Sequence, residues 1–141
     1  IIGWVLPPSG QIVIDRADRD GAIATIERAS LDGVRGQIIF FVEGTRSRDG
    51  RLRPFKKGAF HFALEHDLPL LPTAICGSHG VLGRTLWRRM RTGREIEVVF
   101  AAPVETGAIG PDTPPDVRVA TAMEQVRAAL VAELEPGQRT A

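Results

Sequence analysis

Short apolar runs alternate with helical patterns along the chain. Apolar residues that recur every three to four positions predict helices, and short β-rich runs bounded by turn residues predict strands. The predicted strands span residues 11–14, 38–42, 68–75 and 95–101, and the predicted helices span residues 18–31, 56–67 and 115–134. A strand, a crossover helix and a second strand form a right-handed unit with parallel strands. We therefore expect an α/β fold with a mixed, mainly parallel sheet flanked by helices.

Three of these elements carry more detailed expectations. The helix at 56–67 should partly bury Phe60, Phe62, Ala63 and Leu64. The prolines within residues 68–75 indicate a bulged or edge strand. Residues 107–115 are rich in proline and predict a linker, and residues 136–141 predict a frayed tail. The apolar stripe of the last helix is expected along Val117, Ala120, Met123, Val126 and Leu130.

The apolar run at 38–42 predicts a strand buried on both faces, and polar residues follow it abruptly. Ligands bind at the carboxyl ends of strands in open α/β sheets. Gly44 lets the backbone approach a ligand, and Arg46 offers a planar charged group for a phosphate or carboxylate. The basic segment, residues 46–57, carries six cations: Arg46, Arg48, Arg51, Arg53, Lys56 and Lys57. We expect an anion here, assisted by the free N–H groups of the following helix.

Arg16 ends the strand predicted next to residues 38–42, so Arg16 and Arg46 could both reach one phosphate. Lys57 is a third candidate cation, and Lys56 is expected to point to solvent. Glu43 is expected to orient Arg46 or to accept a hydrogen bond from a substrate hydroxyl. Spacing alone leaves a second interpretation open, in which these residues form only a strand-end ion pair and a solvated charged loop.

Composition narrows the function classes. The 141 residues are 43% hydrophobic and 25% charged, with a net charge of +1, as is ordinary for one soluble domain over residues 1–141. No stretch approaches the ~20 apolar residues that span a bilayer. His61 and Glu65 lie four residues apart but have no third ligand at suitable spacing, so we expect no metal or cofactor. The basic segment contains one aromatic residue, Phe55, and the net charge of the chain is nearly balanced, which disfavours nucleic acid as a partner.

The polar residues after residue 42 carry a family resemblance. Residues 43–47 read Glu-Gly-Thr-Arg-Ser, and residues 54–60 read Pro-Phe-Lys-Lys-Gly-Ala-Phe. Together they resemble the phosphate-binding block of the glycerolipid acyltransferases, which include the 1-acylglycerol-3-phosphate acyltransferases. Gly-Gln-Ile-Val-Ile-Asp-Arg at 10–16 is similar to the second block of that family, and Leu-Pro-Leu-Leu-Pro at 68–72 to the fourth. The resemblance extends from residue 1 to about residue 103 and implies a glycerol-3-phosphate acyltransferase-like fold.

The sequence departs from the family pattern in two places. Val42 stands where the family usually has proline, which is a conservative difference. The first block of the family, His-x-x-x-x-Asp, is absent, because His61 is followed five positions later by His66, and His79 by Arg84. In the family that histidine is the general base, so the chain is interpreted as an N-terminally incomplete domain with no catalytic residue of its own.

The resemblance implies acyl transfer from acyl-CoA or acyl carrier protein to the hydroxyl of 1-acylglycerol-3-phosphate, giving phosphatidic acid in phospholipid synthesis. It implies that Arg16, Glu43, Gly44, Thr45, Arg46 and Lys57 bind the lysophosphatidate-like acceptor. It also implies that the protein acts at a membrane surface, on the cytoplasmic face of the cell membrane. Its attachment there would be peripheral or through an anchor in a further N-terminal segment. The alternative is a non-catalytic module that binds anionic lipid or phosphate.

Overall fold

A computed structural model describes residues 38–45, 47, 49–78, 81, 93, 95–110 and 112–134. The chain divides into two compact units, Ile1–Ile39 and Phe40–Ala141. Nearly all of the first unit lies outside the described residues, and with it the strand predicted at 11–14, the helix predicted at 18–31 and Arg16. The predicted tail at 136–141 also lies outside them. The single domain over residues 1–141 stays a prediction.

The described part of the second unit contains two helices, two strands and a short 3-10 turn. In chain order these are α1 (Gly58–Glu65), β1 (Thr73–Cys76), β2 (Glu97–Phe100), the 3-10 turn (Thr106–Ala108) and α2 (Pro115–Glu133). Both helices and β2 lie where the residue pattern predicts them, and β1 overlaps the predicted strand. The mixed α/β character is therefore confirmed. Among the described residues, no helix is both long and apolar enough to cross a membrane.

β1 and β2 pair antiparallel, with Thr73 opposite Phe100 and Cys76 opposite Glu97. The described residues thus do not confirm a mainly parallel sheet. An isolated bridge between Leu70 and Val104 continues the pairing. Between this bridge and the Thr73–Phe100 pair, the second segment contains one residue more than the first. This mismatch is a β-bulge, and it lies where the prolines of residues 68–75 predict irregular strand geometry.

The core forms where α1, α2 and the loops between the elements meet. Phe60 is 1% exposed, and Phe62 and Ala63 are also buried, as predicted for α1. Leu64 is half-buried and packs against the same core. The predicted linker is partly integrated into the fold, because Ile109 within it is buried. Just before it, the buried Thr106 hydroxyl donates a hydrogen bond to the Leu68 carbonyl oxygen at 3.1 Å.

The stripe predicted for α2 is partly wrong. Val126 and Leu130 are buried as expected, but Val117 is 45% exposed and Ala120 is also exposed. The buried positions are Val119, Ala122, Val126 and Leu130. Two overlapping stripes have helical spacing in this sequence. Packing selects the one that contains Ala122, which is 0% exposed, because a small side chain there lets neighbouring elements approach the helix closely.

The strand predicted at residues 38–42 is also wrong. The described residues at these positions belong to no strand, and Ile39 and Phe41 are each 77% exposed. Phe40 and Val42 are half-buried, and the Phe40 ring lies 5.8 Å from the Phe62 ring. The segment therefore buries only alternate side chains. An apolar run reports a preference for extended structure and burial, whereas strand formation also requires pairing along the backbone.

Candidate functional site

A tight turn at Gly44 begins the candidate site. The Gly44 N–H donates a hydrogen bond to the Phe41 carbonyl oxygen at 2.9 Å, and Gly44 has a φ of 67°. This left-handed conformation favours glycine because it has no Cβ. The Lys56 N–H donates to the Val42 carbonyl oxygen at 2.7 Å, so the chain returns to the turn just before α1. Residues 42–56 thus form a closed loop, which we call the basic loop.

Glu43 ties the two sides of the basic loop together. Its Oε2 accepts a hydrogen bond from the Arg53 backbone N–H at 3.2 Å. Burial raises the pKa of Glu43 above its ordinary value, while the Arg53 N–H and the charges of Arg53 and Arg127 oppose this rise. One carboxylate oxygen is therefore already used within the loop, and Glu43 has a structural role that the sequence did not indicate.

Two apolar side chains anchor the basic loop to the core. Leu52 is 8% exposed, although it lies between two arginines in the sequence. Phe55 stacks on Phe60 of α1, with ring centroids 6.0 Å apart and an interplanar angle of 17°. A freely solvated charged loop would have no such anchors. The basic loop is therefore packed against the core, although it carries a high density of cations.

Arg127 of α2 fixes the basic loop from the other side. Its Nη1 donates to the Arg53 carbonyl oxygen at 3.4 Å, and its guanidinium carbon lies 5.8 Å from the centre of the Phe55 ring. A cation over an aromatic face is attracted by the negative face of the ring. Arg127 thus connects the candidate site to the longest helix described.

The tip of the basic loop contains a turn at Asp49 and Gly50, where Gly50 has a φ of 81°. Asp49 Oδ1 accepts hydrogen bonds from the Arg51 N–H at 3.2 Å and from the Ser47 hydroxyl at 2.9 Å. These two hydrogen bonds lower the pKa of Asp49, and the Arg51 charge adds to the shift. Arg51 Nε lies 3.9 Å from Asp49 Oδ2 with both side chains exposed, which makes this ion pair weak.

The structure describes four of the six predicted substrate-binding residues. Glu43 is half-buried, Gly44 and Thr45 are exposed at the turn, and Lys57 is exposed at the N-terminal boundary of α1. Arg16 and Arg46 lie outside the described residues. The backbone hydrogen bond between Lys56 and Val42 brings the turn close to the start of α1. The joint binding of one phosphate by Arg16 and Arg46 stays a prediction.

Sequence reasoning missed the contacts that Arg127 and Lys56 make in this region. Arg127 lies 74 positions from Arg53, and no local pattern reports a contact at that separation. Lys56 was expected only to point to solvent. It is exposed, but its side chain also runs alongside Gly44. Residue type and spacing alone do not indicate this contact, because it depends on the hydrogen bond between the Lys56 N–H and the Val42 carbonyl oxygen.

A separate cleft of about 210 Å³ lies between α1 and α2. Its lining contains none of the predicted substrate-binding residues and consists of His61, Leu64, Glu65, Pro115, Arg118 and Val119. Among the described residues, no group of three or more histidine, cysteine or acidic side chains lies together in a way that could hold a metal ion. The pair formed by His61 and Glu65 therefore lines a cleft without forming a metal site with other described residues.

Comparison with known proteins places the basic loop in a family context. The Acyltransferase family model matches residues 1–76, which include the Gly44 turn, the basic loop and all of α1 and β1. No solved structure matches the chain.

Several curated proteins are similar to this chain. A 1-acyl-sn-glycerol-3-phosphate acyltransferase of Limnanthes douglasii is 41% identical over 81 residues, covering 56% of this chain and 29% of that protein. The chloroplastic protein BAT2 of Brassica napus, with the same enzyme name, is 36% identical over 83 residues, covering 58% and 24%. A Chlamydomonas reinhardtii protein of this name is 28% identical over 137 residues, covering 96% and 38%.

The chain thus spans between 24% and 38% of the length of these curated relatives. The family model covers more than half of the 141 residues, and it includes every predicted substrate-binding residue. On this match, the chain belongs to the Acyltransferase family.

Proposed function

We propose that this chain forms the acceptor-binding part of a 1-acylglycerol-3-phosphate acyltransferase. The reaction transfers a fatty acyl group from acyl-CoA or acyl carrier protein to the free hydroxyl of the acceptor and gives phosphatidic acid. The observation that carries the proposal is the Gly44 turn, which closes a cation-rich loop anchored to the core within the matched region. The names of the relatives support the choice of acceptor.

The chemistry of the site fits a phosphomonoester. Such a group is nearly dianionic at neutral pH and accepts several charge-assisted hydrogen bonds. In the proposal, Arg46 and Arg16 grip the phosphate, Lys57 adds a third positive charge, and the N–H groups of the first turn of α1 assist. Thr45 lies at the exposed rim of the turn. Glu43 closes the loop through the Arg53 N–H and so keeps its own charge engaged within the protein.

The base for the reaction is proposed to come from outside these 141 residues. The sequence contains no His-x-x-x-x-Asp, and in the resembled family this histidine removes the proton from the attacking hydroxyl. A mainly parallel sheet completed by residues outside the described ranges belongs to the same proposal. So does a position at the cytoplasmic face of the cell membrane, with peripheral attachment or an anchor in a further segment.

A transfer assay on two proteins tests the proposal. The full-length protein should convert radiolabelled acyl-CoA or acyl carrier protein and lysophosphatidate to phosphatidic acid, and the 141-residue chain alone should give no turnover. Arg46→Gln in the full-length protein should abolish most of this activity, with Arg48→Gln as the matched control. Turnover by the 141-residue chain would show that the base lies within it.

The alternative is a non-catalytic module that binds anionic lipid or phosphate. The missing His-x-x-x-x-Asp block is the observation that favours it. A lipid-binding blot combined with the transfer assay separates the two functions. The binder would retain lysophosphatidate on the blot, while the full-length protein would show no transfer from either donor. The coding sequence upstream of residue 1 gives a second test, since the enzyme requires the block there.

A further inference from the structure

The Lys56 side chain lies along the Gly44 turn. A methyl group built on Gly44 would lie 3.4 Å from Lys56 Cγ and 3.7 Å from Lys56 Cε, so the aliphatic chain passes the turn at van der Waals distance. The ammonium nitrogen is one C–N bond of about 1.45 Å beyond Cε. This places the Lys56 charge within about 5 Å of the position where a Gly44 side chain would begin.

The backbone around Lys56 is held on both sides. The Lys56 N–H is bonded to the Val42 carbonyl oxygen at 2.7 Å, and the preceding residue, Phe55, stacks on the buried Phe60. The Lys56 side chain therefore starts from a fixed point. A ligand that Lys56 binds would require ordering of the side chain only, which lowers the entropic cost of binding.

The charge of Lys56 is available to a ligand. No described residue forms an ion pair with Lys56, and its side chain is exposed. Glu43, which precedes Gly44 in the sequence, accepts a hydrogen bond from the Arg53 N–H, and the charges of Arg53 and Arg127 lower its pKa. Among the described residues, the Lys56 ammonium therefore has no ion-pair partner beside the turn.

We propose that Lys56 also binds the phosphate of the acceptor, at the Gly44 turn, in addition to the cations named in the proposed function. This inference rests on the proposed function and specifies which side chain sets acceptor affinity. Gly44 serves the same site by leaving open the space along which the Lys56 chain runs.

Steady-state kinetics of the full-length protein test the inference with two matched variants. Lys56→Gln should raise the KM for lysophosphatidate by at least about tenfold, the ratio that corresponds to ~1.4 kcal/mol. Arg51→Gln should stay within about twofold of the wild type, because it removes the same charge at the tip of the loop, where the exposed Arg51 Nε lies 3.9 Å from Asp49 Oδ2. Lys56→Arg retains a cation and should recover most of the lost affinity. The KM for the acyl donor should not change in any of the three variants.

Each outcome separates the inference from the proposed function. Absence of transfer by the wild-type full-length protein would overturn the proposed function. Normal transfer by the wild type, together with an unchanged KM in Lys56→Gln or a larger effect in Arg51→Gln, would overturn the inference alone. An equal loss in Lys56→Gln and Lys56→Arg, with far-UV circular dichroism like that of the wild type, would also overturn it, since it would exclude a role of the charge.

Discussion

Replacing Gly44 by alanine would place a side chain on a left-handed backbone position. The φ of 67° at Gly44 costs an L-residue roughly 1–2 kcal/mol. Part of this cost is offset, because alanine also restricts the unfolded chain and so contributes about 0.4–1 kcal/mol to stability. The added methyl group would touch Lys56 Cγ at 3.4 Å, which is an ordinary contact, so no further clash contributes. We expect a net loss of about 1 kcal/mol.

Gly58 provides the matched control. It is the first residue of α1, its φ is not positive, and a methyl group there would meet nothing within 4 Å. Alanine in a helix is favoured over glycine by roughly 0.5–1 kcal/mol, so Gly58→Ala should stabilise the chain. Gly44→Asn is a second control, because asparagine tolerates the left-handed region better than alanine. It should recover most of the loss seen in Gly44→Ala.

Urea unfolding followed by far-UV circular dichroism measures all three variants. The free energy of unfolding should fall in Gly44→Ala and rise in Gly58→Ala, so that the two differ by about 1.5 kcal/mol. Equal effects at the two positions would refute the assignment of a left-handed turn to Gly44. An asparagine variant less stable than the alanine variant would refute it as well.

Three further predictions concern stability and pH. Val119→Ala should lower the free energy of unfolding by about 2 kcal/mol, whereas Val117→Ala should change it by less than about 0.5 kcal/mol; equal losses in urea unfolding would mean that α2 buries a different stripe. The pKa of Glu43 is higher in the folded chain than its ordinary value of 4.5, so the folded state binds the proton more tightly. The wild type should therefore lose stability relative to Glu43→Gln as the pH rises from below 4.5 through the raised pKa. Urea unfolding at several pH values measures this difference, and a relative gain in stability of the wild type would contradict the burial of the Glu43 carboxyl group. Thr106→Val removes the hydroxyl that donates to the Leu68 carbonyl oxygen, and thermal unfolding should report a loss of roughly 1–2 kcal/mol, whereas a variant as stable as the wild type would show that this hydrogen bond is dispensable.

The elements predicted most accurately are those whose structure is determined by residues close together in the sequence. α1 carries its apolar residues close together, and α2 begins at Pro115, where proline is favoured because its fixed φ suits the first helical position. The glycine turn and the irregular strand near Pro72 also follow from single residues whose backbone preferences are strong. For these elements, residue type and spacing were sufficient.

The features that sequence reasoning missed depend on contacts between distant residues. The burial of Val119 in place of Val117 depends on what packs against α2, and the exposure of Phe41 depends on which strands pair. The Glu43 carboxylate was expected to orient Arg46 or to accept a hydrogen bond from a substrate hydroxyl. In the structure it accepts a hydrogen bond from the Arg53 N–H across the closed loop. Leu52 lies between two arginines in the sequence, so its burial was not expected. Only the folded structure identifies it as a residue that anchors the basic loop to the core.

The central claim is that the Gly44 turn and its cations recognise a phosphate group on a lipid. Isothermal titration calorimetry of the full-length protein tests it directly. The two ligands are a short-chain lysophosphatidate and the matching phosphate-free monoacylglycerol, both below their critical micelle concentrations. The account predicts that lysophosphatidate binds at least about tenfold more tightly, and that this advantage shrinks as salt is added. Equal affinity for the two lipids, or an advantage insensitive to salt, would contradict it.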